Sequence, residues 1–209
     1  MPPVTLPSIN VSGGYAMGSH AIRYLILPGW QGSPADHWQS HWQHSLPAAS
    51  RVEQLDWDNP DPHEWVASLD QRLAEVSTPT ILIAHSLGCI TVARWAAQAN
   101  GHALQRVRGA LLVAPADVER PGCPQALRSF APIPRQSLPF PTRVVGSDND
   151  PAASVPRVLE LAQQWGSEVA ILPGAGHINV KSGFSHWEQG FAYLFRLQSQ
   201  IEQHAKRRA

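Results

Sequence analysis

Ser86 stands between two small residues, Ala84 and Gly88, where an apolar β-branched run gives way to a stretch of helical periodicity. Thr80-Ile81-Leu82-Ile83 has the composition of a short buried strand, and Leu87 to Gln98 places apolar residues at helical spacing. A serine at a sharp strand-to-helix turn is lifted clear of the sheet with its hydroxyl exposed, the geometry of a nucleophile elbow. The usual form is G-x-S-x-G; here Ala84 replaces the first glycine, a difference of one methyl group, and Gly88 keeps the second.

A serine hydroxyl is a poor nucleophile at neutral pH, so the chemistry requires a histidine to take its proton and a carboxylate to orient that histidine. On folds with such an elbow the order along the chain is serine, acid, histidine, each in a loop at the carboxyl end of a parallel strand. Thr142 to Ser147 reads as a strand running into Asp148-Asn149-Asp150-Pro151. Glu168 to Leu172 reads as another, running into Pro173-Gly174-Ala175-Gly176-His177. Asp148 and Asp150 compete for the acid role. Asp148 could instead begin the turn, since Asp bonds its own backbone there, and Asp150 could cap a helix opening at Pro151. The helix is expected to start at Ser154, with Pro156 in its first turn and Leu159, Leu161, Ala162 and Trp165 as its stripe, which frees Asp150 from capping.

Acyl transfer also needs donors for a developing oxyanion. One is the backbone N–H of Leu87, directly after the nucleophile. The other is expected in Leu27-Pro28-Gly29-Trp30-Gln31-Gly32-Ser33, from Trp30 N–H or alternatively Gln31 N–H. This loop lacks both G-x-G-x-x-G and the P-loop Lys-Ser/Thr, so it is not read as a nucleotide cradle.

These loops must be held by alternating strands and helices. Strands are predicted at Ile22–Leu27, Arg51–Leu55, Thr80–Ile83, Val107–Val113, Thr142–Ser147 and Glu168–Leu172; helices at Asp36–Gln43, His63–Val76, Leu87–Gln98, Ser154–Trp165 and about His186–Gln203. Such alternation implies an α/β fold with a mainly parallel sheet wound on both faces, its functional loops gathered at the carboxyl ends of the strands. The proline-rich stretch Pro115–Pro141 holds at most a short helix near Gln125–Phe130. It reads either as a minimal cap over the nucleophile or as a stiffened connection.

The length of 209 residues suits one catalytic domain, taken as residues 21–209, without a large second one. Lys plus Arg and Asp plus Glu number 16 each, so no net basic charge points to nucleic acid, and no apolar run is long enough to span a membrane. Met1 to His20 has neither a basic start nor a continuous apolar segment, and is read as a mobile extension rather than a secretory signal. Cys89 and Cys123 have no C-x-x-C spacing; a reducing, cytoplasmic compartment is the simplest fit. Trp30 is the tryptophan expected to line an acyl pocket, while Trp38, Trp57, Trp65 and Trp95 read as core or groove packing.

The segments LPGW (27–30) with HW (37–38), AHSLG (84–88), SDNDP (147–151), AQQWGS (162–167), and AGHIN with SGFSHWEQG (175–190) together resemble the small serine hydrolases of the retinoblastoma-binding protein nine and bacterial YdeN-like family. The resemblance covers roughly Arg23 to Leu197. It implies an α/β-hydrolase fold with no large lid domain and a triad of Ser86, Asp150 and His177, choosing Asp150 over Asp148. It also implies esterase or peptidase-like action on small substrates; a Ser-His-Asp mechanism needs no cation, so no metal and no cofactor are expected. The expected partner is accordingly a small-molecule ester or amide.

Two other readings belong to different classes. A hydrolase fold can serve as a non-catalytic protein-binding scaffold. His37, His41 and His44 at i, i+4, i+7 could line one helix face as metal ligands, although no Cys or carboxylate cluster completes the set.

Overall fold

The computed structural model describes residues 22–75 and 77–206. Its six strands are β1 (Arg23–Leu27), β2 (Ala49–Arg51), β3 (Thr80–His85), β4 (Val107–Val113), β5 (Thr142–Ser147) and β6 (Glu168–Leu172). All pair in parallel, in the order β2-β1-β3-β4-β5-β6. The chain goes from β1 outward to β2 and then back to β3 on the other side of β1, so a topological switch point lies between β1 and β3. In open sheets of this type the crevice beyond the strand ends at that point is where ligands bind. The expectation of residues 1–20 as a mobile extension lies outside the described residues.

Strand periodicity sorts the side chains into two faces. Leu25, Leu27, Leu82, Ala84, Ala110, Leu112 and Val144 pack with helices α2 (Pro62–Ala74), α3 (Leu87–Gln98) and α5 (Val155–Trp165). The alternate set, Tyr24, Ile26, Ile81, Ile83, Leu111, Val113 and Val145, packs with α1 (Trp38–Ser45) and α6 (Phe191–Lys206). Trp38, Trp65 and Trp95 are core residues, and Trp57 packs partly buried against the core. The helix starts are locally encoded. Asp61 accepts from His63 N (2.8 Å) and Glu64 N (3.1 Å) ahead of Pro62.

Several boundaries differ from the sequence expectation. The second strand forms at Ala49–Arg51 rather than Arg51–Leu55, because Val52 N makes the last bond to β1, to Ile26 O (2.9 Å), and the chain then leaves the sheet, with Leu55 85% exposed. Arg51 fixes this edge by donating to Ser33 O (2.9 Å), Ser40 Oγ (2.7 Å) and Gln43 Oε1 (3.0 Å). The last helix begins at Phe191 rather than His186, since Trp187 takes φ 46° and a 3₁₀ turn, Glu188–Gly190, intervenes. The helix expected from Asp36 starts at Trp38, with His37 as its cap. A short α4 (Gly101–Gln105), capped by Asn100 accepting from Ala103 N (2.9 Å), has no sequence counterpart above because five residues are too few to show periodicity.

Between β4 and β5 the proline-rich stretch is ordered and carries a 3₁₀ turn at Gln125–Phe130. Phe130, Ile133, Leu138 and Phe140 anchor it in the core beside α2, α3 and α5. No second domain and no helix long and apolar enough to cross a membrane occur among the described residues.

Candidate active site

Ser86 sits between β3 and α3 with φ 54° and ψ −120°, a conformation that side-chain sterics make costly, on the order of 1–3 kcal/mol. The turn is held by Ser86 N donating to Val113 O (2.9 Å) and by Cys89 N donating to Ser86 O (3.0 Å). Close backbone approach explains the glycines around it. A Cβ at Gly88 would lie 2.5 Å from Leu27 O, and one at Gly29 would lie 2.7 Å from Ser86 Cβ. The methyl of Ala84 instead points into the core with Leu82 and is fully buried, which is why alanine is accepted at the first motif position.

His177 Nε2 lies 2.8 Å from Ser86 Oγ, and His177 Nδ1 lies 2.9 Å from both carboxylate oxygens of Asp150. An ionised carboxylate only accepts, so Nδ1 bears the proton and Nε2 accepts from the hydroxyl. The Asp150 side chain is 1% exposed and its Oδ1 also accepts from Ala152 N (2.7 Å). Asp150 therefore has a local turn bond as well, while the cap position of α5 belongs to Ser154.

The residues before Asp150 grip the histidine loop. Asp148 Oδ1 accepts from Gly174 N (2.7 Å), Ser147 Oγ from Ala175 N (3.0 Å), and Asn149 Oδ1 from Gly176 N (2.6 Å). Ser147 Oγ in turn donates to Asn149 Oδ1 (2.8 Å). Three consecutive side chains thus hold three consecutive amides, and the fourth holds the imidazole. Beyond the histidine, Ser182 Oγ accepts from His177 N (3.1 Å) and donates to Asn179 Oδ1 (3.1 Å).

Behind His177 lie two further imidazoles. His85 and His177 have ring centroids 5.0 Å apart, as do His37 and His85. His85 Nε2 is 2.9 Å from His177 O, and a carbonyl only accepts, so this nitrogen is protonated. Burial pushes the His85 imidazole well below its ordinary range, with the neighbouring His177 and His37 acting in the same direction. Burial, then the Arg51 charge, lowers His37 to about 4. Its Nδ1 accepts from Gln39 N (3.2 Å) as the α1 cap. His85 had no role in the sequence reading. The available signal was strand alternation, which continues the buried face of Ile81 and Ile83 onto a polar residue at the strand end.

The three early histidines do not converge. His37 caps α1, His41 stacks on His186 with centroids 3.9 Å apart, and His44 Nδ1 bonds Ser40 O (2.7 Å). No group of three His, Cys, Asp or Glu side chains among the described residues is arranged to hold a metal ion.

The loop after β1 closes over the elbow. Gln31 N donates to Trp57 O (3.0 Å), which commits that amide elsewhere, whereas Trp30 N has no acceptor among the described residues. Leu87 N, at the first position of α3, has no intrahelical acceptor either. Gln39 Nε2 bridges Leu27 O and Ile83 O (3.1 Å each), tying the ends of β1 and β3 together behind this loop. Trp30 Nε1 donates to Asp58 O (2.8 Å), and its indole lines a cavity of about 240 Å³ onto which Ser86 and His177 open. Ala116, Asp117, Arg120, Cys123 and Leu127 of the proline-rich stretch line the same cavity, so this stretch lies beside the serine, as the minimal-cap reading expects. A larger cavity, about 770 Å³, lies at the amino ends of the strands around Pro79, Val107 and Pro141, away from these groups.

The family model for serine hydrolases matches residues 24–196. A YdeN-like hydrolase from Pectobacterium atrosepticum is 32% identical over 86% of this chain and 92% of its own, with a TM-score of 0.75. The ydeN gene product of B. subtilis is 21% identical over 86% of this chain and 100% of its own, with a TM-score of 0.69. Est1E from Butyrivibrio proteoclasticus, 13% identical over 88% of each chain at a TM-score of 0.60, shares the fold. No curated protein matches the chain. With a family match spanning most of its length and a YdeN-like relative at this identity, the chain belongs to the serine hydrolase family, among its YdeN-like members.

Proposed function

We propose that the protein hydrolyses small carboxylic esters or activated amides through an acyl-enzyme, with Ser86 as nucleophile, His177 as general base and acid, and Asp150 as the orienting carboxylate. The observation that carries this reading is the unbroken chain from Ser86 Oγ through His177 to the buried Asp150, with bonds of 2.8 and 2.9 Å. Ser86 Oγ attacks the carbonyl carbon while His177 Nε2 takes its proton. The oxyanion is met by Leu87 N–H and Trp30 N–H. Collapse expels the leaving group, which receives the proton from Nε2. Water, activated by the same nitrogen, then releases the acid and regenerates Ser86.

The cavity volume of about 240 Å³ supports short acyl groups. The free, buried Cys89 and Cys123 support a reducing, cytoplasmic setting. The test is steady-state hydrolysis of p-nitrophenyl esters of increasing chain length, by the wild type and by Ser86→Ala. Turnover favouring short chains and abolished in Ser86→Ala is expected. A folded protein with no turnover of any activated ester would favour the protein-binding scaffold instead.

A further inference from the structure

The cavity beside Ser86 holds a charge that the hydrolytic mechanism does not use. Arg120 lines it, half-buried, and its side chain makes one hydrogen bond among the described residues, from Nε to Ala152 O (3.1 Å). Neither terminal guanidinium nitrogen has an acceptor among the described residues, and no carboxylate among them lies within 4.0 Å. Arg72, Arg135, Arg143 and Arg157 each have one.

The acids that could neutralise Arg120 are already engaged. Asp117, which shares the cavity wall, pairs with Arg157 Nε (3.3 Å) and accepts from Glu119 N (3.1 Å). Glu119 pairs with Arg157 and Arg135 and accepts from Ile133 N (2.8 Å). Asp150 is buried beneath His177 and does not line the cavity. Burial pushes the Cys123 thiol up; the Arg120 guanidinium, with that of Arg128, opposes the rise, and the Asp117 carboxylate adds to it. A planar fork of N–H donors matches a carboxylate better than any neutral group. At about 240 Å³, the space of roughly eight waters, the cavity limits how far that carboxylate can lie from the serine.

We propose that Arg120 selects substrates with a carboxylate on a short acyl chain, so that the protein acts on monoesters or activated monoamides of short dicarboxylic acids. The proposal rests on the assignment of Ser86 as nucleophile. The acyl carbonyl sits at Ser86 and the distal carboxylate at the guanidinium of Arg120, two residues that line the same cavity. The alcohol or amine leaves toward solvent.

Paired substrates test this: p-nitrophenyl butyrate and mono-p-nitrophenyl glutarate, alike in their leaving group but differing in a terminal carboxylate. At low ionic strength the glutarate monoester should have a kcat/KM roughly ten- to hundredfold higher, the range expected for hydrogen bonds to a charged group. Added salt should reduce that advantage. Arg120→Gln should bring the ratio close to one, chiefly through KM for the glutarate ester, and Arg120→Lys should keep part of the preference. A wild-type ratio of one or below, or a ratio that Arg120→Gln leaves unchanged, overturns the proposal.

Calorimetric titration of glutarate into Ser86→Ala separates this claim from the hydrolase reading. Binding that the added Arg120→Gln change abolishes supports the anion site even where no ester is turned over. Absence of binding alongside brisk neutral-ester turnover refutes the anion site and leaves the hydrolase intact.

Discussion

His85 donates from Nε2 to the backbone carbonyl of His177 at 2.9 Å, so the residue next to the nucleophile is bonded directly to the backbone of the proposed base. The two loops are separated by 91 positions between Ser86 and His177, yet they share this strut and the Ser86–His177 bond. The strut lies in the core, with His37 and Trp38 packed edge-on against the His85 ring. It fixes where the His177 backbone sits before substrate arrives.

His85→Phe keeps the ring volume and removes the donor. Small displacements of a base are costly, so kcat should fall about 10- to 100-fold with little change in KM. His85→Gln, which retains a donor, should recover part of it. Unchanged kcat in His85→Phe would show that the strut has no positioning role.

Asp150→Asn should lower kcat on the order of 10⁴-fold, by analogy with serine proteases in which the same change puts the histidine in the wrong tautomer. Asp148→Asn keeps an oxygen for Gly174 N and should cost far less. Steady-state kinetics of both variants decide this, and a dead Asp148→Asn beside an active Asp150→Asn would reverse the assignment.

The fold was legible where periodicity and turn chemistry coincide. The strand of Ser86, its helix, and the Asp and His loops follow from apolar runs ending in Gly, Asp and Pro. The second strand was misplaced because its position is set by Arg51 bonding α1 and the loop after β1, not by its own alternation. Between the two acids the residues alone were undecided, as both are plausible turn formers. The family resemblance chose Asp150, and the tertiary contacts give a physical reason for that choice: Asp148 binds Gly174 N while Asp150 meets the imidazole. Arg120 was invisible in the sequence, because its lack of a partner is a property of the assembled cavity.

The two small positions of the elbow should behave unequally. Gly88→Ala forces a methyl to within 2.5 Å of the Leu27 carbonyl oxygen, and backbone cannot yield cheaply, so a loss of at least about 3 kcal/mol or failure to fold is expected. Ala84→Gly empties a buried methyl site and frees the backbone, for about 1 kcal/mol. Urea unfolding measures both. Equal effects would mean that the approach of Leu27 to Gly88 does not set the motif.

Stability should depend on pH through the buried imidazoles. His37 is held to about 4, below the 6.5 of an unfolded chain, so between these values the unfolded state binds the extra proton. Its contribution is full above about pH 6.5 and is lost as pH falls toward about 4, by about 3 kcal/mol at most. His85, also lowered, acts with the same sign. His37→Asn keeps a cap acceptor for Gln39 N and removes one titration, so unfolding free energies between about pH 6.5 and 4 should fall less steeply than in the wild type. Parallel slopes would contradict the assignment of a neutral buried His37.

The most direct test of the central claim is covalent capture with a fluorophosphonate, followed by peptide mass spectrometry. One adduct per chain on Ser86 is expected, forming more slowly in Asp150→Asn and in His177→Ala than in the wild type. An adduct on another residue, or a folded wild type that is not labelled, would contradict Ser86 as the activated nucleophile.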